Sequence, residues 1–199
     1  MKNILKTYPV VSTLTFICLL LGILTSIYGN AMYDLLGFHS KPVYYWQYMS
    51  GTLMHGSKGA PAWFLWIHLI LNGLMVLPFG GLLERKRGSR QVLIVFVTAT
   101  ALSSTVFHLL TQGQDIQATG ISAVGYAFVT GGILLLPNMW KEYSLSVKLF
   151  YLFLVFLSAL MLLPAITGWI SMLLHLSGIA SYLLVFFGSK GLKRRSKGS

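Results

Sequence analysis

Charge is scarce in this chain: Asp, Glu, Lys and Arg make up 10% of its 199 residues, against 55% apolar residues. A soluble domain carries about a quarter charged residues, so the composition excludes an ordinary soluble fold and reads as a membrane protein. Cysteine is nearly absent as well. The single Cys18 excludes an intramolecular disulfide and any metal site built on clustered thiolates. Acidic residues number 4 against 15 Lys and Arg, giving a formal net charge of +11. Such a balance can mark nucleic-acid binding, but the basic residues here are interleaved with apolar runs and form no continuous patch, so no nucleic acid is expected as a partner. No internal repeat is evident. The length suggests one domain, residues 1–199, with a short basic tail at about 189–199 that ends in "KGLKRRSKGS" and looks disordered.

Long apolar runs are what the sequence has instead. Hydropathy gives six candidate spans, at about 9–28, 63–83, 91–111, 121–137, 147–164 and 168–188, each judged against the roughly 20 apolar residues needed to cross a bilayer. Lys2 and Lys6 ahead of the first run resemble a signal peptide. That run is longer than a typical signal h-region and further spans follow, so an uncleaved helix is expected. Gly29-Asn30, Gly88-Ser89, the stretch from Gln112 to Asp115, Pro137-Asn138 and Pro164 punctuate the ends. In a six-span arrangement 13 basic residues fall on one side (Lys2, Lys6, Arg85, Lys86, Arg87, Arg90, Lys141, Lys148, Lys190, Lys193, Arg194, Arg195 and Lys197), and only Lys41 and Lys58 on the other. The positive-inside rule then puts both termini in the cytoplasm. The first external loop, about residues 29–62, contains "KPVYYWQYMSGTLMHG" and is expected to lie in the membrane interface, where Tyr and Trp are favoured.

Several polar residues interrupt these runs at one depth. In "ATGISAVGYA", Ala118 to Ala127, the Ser122 hydroxyl lies between glycines at the start of the fourth span. His175 lies seven residues after Gly168, roughly 10 Å along the sixth span at 1.5 Å per residue. His68 and Asn72, spaced i and i+4, share one face of the second. Each has an ordinary reading: a membrane serine bonds a carbonyl one turn back, and a His/Asn pair can join helices. An intramembrane histidine is a functional candidate by default. Together they suit acyl transfer, in which a serine needs a base to take its proton. Neutral donors and the amides at a helix start could stabilise the resulting oxyanion. Gly125 and Gly178 each follow a reactive group by three residues and allow two helix backbones to approach.

These residues resemble the rhomboid intramembrane serine proteases over nearly the whole chain, through "YYWQYMSGTLMHG", "HLILNG", "FGGLLERKRGS", "GISAVGYA" and "HLSG". The run of Gly80, Gly81, Glu84 and Gly88 adds to the match. The resemblance implies an all-α membrane protein, a six-transmembrane-helix rhomboid-like bundle with a long interfacial first loop. It implies Ser122 as nucleophile, His175 as general base and acid, His68 and Asn72 at the oxyanion, and Tyr126 stacked on His175, with Gly120 and Gly178 in support. It also implies hydrolysis of single-pass transmembrane proteins near the outer membrane face through an acyl-enzyme, in a bacterial inner membrane. Transmembrane substrates and membrane lipids are the partners, without metal or cofactor; the oligomeric state is left open.

The chain departs from the family pattern at several places. Ala123 replaces the glycine after the nucleophile, and Gln47 follows Trp46 where the family often has arginine. Tyr182 stands where a second glycine of the sixth span is usual. Twelve residues separate His55 from His68, so no family role passes to His55, and "GSKGAPAWFLW" reads as an insertion near the substrate's approach. His39 and His108 read as structural. Two other functions compete. A catalytically silent rhomboid-like protein that binds transmembrane helices is disfavoured by the intact Ser122 and His175. A small transporter is disfavoured by the poor set of ionisable residues in the spans and the lack of an inverted repeat.

Overall fold

The computed structural model describes residues 7–42 and 44–195, with side chains as far as Ser189. Lys2, Lys6, Lys197 and the last residues of the basic tail lie outside the described residues. The first helix, α1 (Pro9–Tyr28), opens on a proline, whose fixed φ suits a first helical turn. It ends at Gly29, whose positive φ of 58° turns the chain while its amide bonds Thr25 O at 2.8 Å. The stretch that follows contains two short helices, α2 (Asn30–Leu36) and α3 (Gln47–Leu53), with the two-residue strand β1 (Phe38–His39) between them. Next come α4 (Ala62–Met75), a single π-helical segment (Val76–Gly80) and α5 (Gly81–Arg87). After α6 (Ser89–Leu110), strand β2 (Gln117–Ala118) pairs antiparallel with β1, Phe38 opposite Ala118. The chain closes with α7 (Ser122–Met139), a 3₁₀ turn (Trp140–Glu142), α8 (Leu145–Leu160), α9 (Pro164–Thr167) and α10 (Trp169–Arg195).

Among the described residues five segments are long and apolar enough to cross a membrane: Pro9–Tyr28, Ala62–Arg87, Ser89–Leu110, Ser122–Glu142 and Trp169–Ser189. At 16 residues α8 is apolar but shorter, roughly 24 Å at 1.5 Å per residue against a hydrocarbon core of about 30 Å. The helix ends depart from the expected punctuation in three places. Helix α7 runs two residues past Pro137 to Met139, although a proline there removes one backbone bond and crowds the carbonyl four residues back. Helix α8 already ends at Leu160, and Pro164 opens α9 where it was expected to close the fifth span. Proline is tolerated at a first helical position because that N–H has no partner there anyway. Helix α10 extends to Arg195, so the backbone of 189–195 is helical where a disordered tail was expected.

The core is organised around α7. Two-thirds of its span (67%) is buried, against 28% for α1, for α4–α5 and for α10, which makes it the central helix. Its Val124, Ala127 and Phe128 pack with Val11 and Leu14 of α1, with Phe79 and Leu83, and with Val92 and Val95 of α6. Outward faces carry exposed apolar side chains such as Phe16, Ile27, Phe153 and Phe156. Lipid, not water, is their natural solvent, and the protein is an integral membrane protein of the all-α class.

Two of the departures from the family pattern have structural answers. Tyr182 is buried against Gly131 of α7, where an added Cβ would come within 2.6 Å of the tyrosine ring. The small residue that allows close packing thus sits on the opposite helix. Gln47 is fully buried; its Nε2 donates to Asp34 O at 2.9 Å and its Oε1 accepts from Tyr44 N–H at 3.2 Å. It ties α3 to the end of α2 without an arginine.

Candidate active site

The first half of the site is a turn. Gly120, with φ of +120°, adopts a backbone conformation that L side chains rarely reach, and leads through Ile121 into Ser122, the first residue of α7. The Gly120 amide donates to Gly51 O of α3 at 3.0 Å. A Cβ at Gly120 would lie 2.8 Å and 2.9 Å from Cε1 and Nε2 of His68, and 3.7 Å from Asn72 Nδ2. The backbone just before Ser122 therefore rests against both polar residues of α4. Asn72, buried, donates to the His68 carbonyl one turn back at 3.0 Å, which leaves its amide a second N–H.

The second half is His175 on α10. Its ring stacks on Tyr126 of α7 with centroids 4.3 Å apart and planes 24° apart. The Tyr126 hydroxyl is itself fixed, donating to Ser158 O of α8 at 2.6 Å. His175 Nδ1 lies 3.2 Å from Met161 O, in the turn that leaves α8. A carbonyl only accepts, so Nδ1 carries the proton and the neutral ring keeps its lone pair on Nε2. One turn further, Gly178 abuts α7: a Cβ there would overlap the Ala123 carbonyl. That backbone contact brings the His175 turn of α10 beside the Ser122 turn of α7. Among the described residues the Ser122 hydroxyl and the His175 ring share no hydrogen bond; such bonds are often long before a substrate binds.

Ser122 also lines a small cavity of about 40 Å³, with Gly51, Thr52, Ser103, Ser104 and Phe107 among its walls. That is room for a water molecule. The cavity lies on the α3 and α6 side of the Ser122 turn.

His55 is the residue the sequence did not connect to this place. It is 1% exposed, its ring centroid is 5.3 Å from that of His68 in an edge-on contact, and its Nδ1 donates to Leu53 O at 3.2 Å. Burial first, and the neighbouring His68 second, push its pKa down to about 3, so it is neutral. The chain between the two histidines turns at Gly56 and Gly59, both with positive φ, and Gly56 N–H donates to His68 Nδ1 at 3.3 Å. Local spacing gives no sign of this, because the contact depends on how the turn folds back. His39 lies in β1, where its Nε2 accepts from Gln117 Nε2 at 3.0 Å, and His108 is in the last turn of α6.

The sequence profile of the Rhomboid domain family matches residues 42–190, well over half of the chain. The chain belongs to the rhomboid family. It is also similar to the rhomboid protease GlpG of Haemophilus influenzae, 29% identical over 86 residues that cover 42% of this chain and 41% of that protein. The matched stretch thus spans less than half of that relative. Within this rhomboid protein, His68, Asn72, Gly120, Ser122, Tyr126, His175 and Gly178 all fall inside the family match. Helices α1 and α2 fall outside it, yet both are fastened to it: the Glu84 carboxylate accepts from Val10 and Val11 N–H of α1, both at 3.0 Å, and Gln47 Nε2 donates to Asp34 O of α2.

Proposed function

We propose that this chain is an intramembrane serine protease in which Ser122 is the nucleophile and His175 the general base and acid. The observation that carries the reading is the fixing of His175: Nδ1 on the Met161 carbonyl, one face on Tyr126, and its helix held against the nucleophile turn through Gly178. That leaves Nε2 as the ring's lone pair, which a serine hydroxyl needs in order to react. His175 Nε2 takes the Ser122 proton as Oγ attacks the scissile carbonyl carbon. The carbonyl oxygen becomes an oxyanion at the start of α7, where the first amides of a helix have no intrahelical acceptor. Asn72 and His68 add neutral donors beside the same turn. The imidazolium then gives its proton to the leaving amine, the C–N bond breaks, and an acyl-enzyme remains on Ser122. A water entering by the cavity gives a proton to His175, attacks the ester, and the second product leaves as Ser122 recovers its proton.

The substrates in this reading are single-pass transmembrane proteins cut near the outer face of a bacterial inner membrane, by one rhomboid domain occupying the whole chain. Helix α8 serves as a short sixth span, the aromatic first loop lies in the interface, and both termini are cytoplasmic. Surrounding lipids are the other partners, and the chemistry requires no cofactor. A fluorophosphonate probe tests the nucleophile directly, because only an activated serine is labelled. The expected result is labelling of the wild-type protein in liposomes and none of Ser122→Ala or His175→Ala. A folded wild-type protein that stays unlabelled would favour the catalytically silent alternative.

A further inference from the structure

We propose that Thr119, acting through the backbone of the turn at Gly56, is a positioning residue that holds His68 in the tautomer with its proton on Nε2. The proposal rests on the reading above, in which His68 donates to the oxyanion. A neutral imidazole has one donor and one acceptor nitrogen, and which is which depends on its partners. Gly56 N–H can only donate, and it meets His68 Nδ1 at 3.3 Å. Nδ1 is therefore the acceptor, and the proton sits on Nε2. Nε2 and Cε1 are the His68 atoms nearest the Gly120 position, so the N–H is on the edge of the ring that faces the nucleophile turn. The other tautomer would set two N–H groups against each other at Gly56 and present a lone pair where negative charge develops.

The two peptide groups that meet at Gly56 are both held. The Gly56 carbonyl, in the peptide that follows, accepts from Thr119 Oγ1, and the His55 carbonyl, in the peptide that carries the Gly56 N–H, accepts from the Tyr33 hydroxyl at 3.0 Å. Gly56 has φ of +89°, and a Cβ there would overlap the Tyr33 hydroxyl, so the turn has little freedom to shift. The edge-on His55 ring closes the remaining side of His68. Thr119 immediately precedes Gly120 and stands three residues before Ser122. One short run thus carries both the nucleophile and the hydrogen bond that orients the donor for its oxyanion, across a sequence separation of 63 residues.

The test is 15N NMR of the full-length protein, labelled at histidine and reconstituted in liposomes. It distinguishes a protonated from an unprotonated ring nitrogen; the His68 signals are those lost in His68→Gln. The expected wild-type result is unprotonated Nδ1 and protonated Nε2. Thr119→Val, which keeps the shape and removes the hydroxyl, should give a mixture of tautomers and lower kcat about 10-fold, less than the roughly 10²–10³-fold of deleting an oxyanion donor. KM should change little, and Thr119→Ser should restore both tautomer and rate. Tyr33→Phe, which loosens the adjoining peptide that carries the Gly56 N–H, provides a second variant should Thr119→Val fail to fold. A proton on Nδ1 in the wild type overturns the proposal. So does an unchanged tautomer in the variants, whatever happens to the rate. The NMR result does not depend on turnover, whereas absent fluorophosphonate labelling would strike the protease reading alone.

Discussion

Gly178 meets the Ala123 carbonyl so closely that any side chain there must push α10 away from the turn that carries Ser122. Gly178→Val should therefore lower kcat by at least about 10²-fold, the scale of a 1 Å misplacement of reacting groups, in protein that still inserts into liposomes. Turnover per folded molecule is the measurement. His68 and Asn72 lead to a different expectation. If they donate to the oxyanion, His68→Ala or Asn72→Ala should reduce kcat on the order of 10²–10³-fold at most. KM should hold nearly constant, because the charge develops in the transition state. A pair that only joins helices would lower the melting temperature and leave kcat alone, so both quantities should be measured on the same samples. Ser122 and His175 stand out in the sequence as candidates because short motifs surround them. Thr119, Tyr33 and His55 could not, since their contacts at the site run through a turn whose path depends on Gly56 and Gly59. The pairing of Tyr182 with Gly131 escaped for a similar reason: the compensating small residue is on another helix.

At the scale of elements, Glu84 fastens the start of α1 to the α5–α6 corner. Its buried carboxylate accepts from Val10 N–H, Val11 N–H and the Ser89 hydroxyl, the last at 2.6 Å. A negative charge at a helix N-terminus is favourable for the amides it meets there. Glu84→Gln exchanges one acceptor oxygen for an amide NH2 that can only donate and cannot serve those donors, at a cost of about 1–3 kcal/mol for a buried donor left unpaired. Its melting temperature in detergent should fall, while fluorophosphonate labelling per folded molecule should stay close to wild type. Hydropathy made the long helices legible, since apolar length is what a bilayer demands. Their interruptions were harder to see. The π-helical segment Val76–Gly80 contains Pro78, and a proline's missing N–H disturbs the regular ladder without altering the apolar pattern. Pro164 misled as a helix stop because proline is tolerated at a first helical position, whereas α7 ends at Met139, two residues past Pro137.

For the whole molecule, orientation is the property the sequence addresses most simply. With 13 basic residues assigned to one side and 2 to the other, cysteines introduced at Lys58 and Gln114 in a Cys18→Ala background should react with an impermeant reagent added outside. Cysteines at Lys86 and Lys193 should not. The reverse pattern would invert the protein and place the Ser122 turn at the inner leaflet. α8 is the element that bears most on the span count, and α8 with the turn that leaves it supplies the two carbonyl contacts that fix the His175 environment, Ser158 O on Tyr126 and Met161 O on His175 itself. A short helix in that place reads as a support for the His175 ring. The central claim is peptide hydrolysis within the membrane by Ser122 with His175, and it is tested most directly by cleavage of a single-pass membrane substrate co-reconstituted in liposomes, with product masses determined. The account predicts two fragments from one cut in the outer part of the substrate's span with the wild-type protein, and intact substrate with Ser122→Ala. Intact substrate with folded, fluorophosphonate-reactive wild type across a panel of such substrates, or equal cleavage by Ser122→Ala, would contradict it.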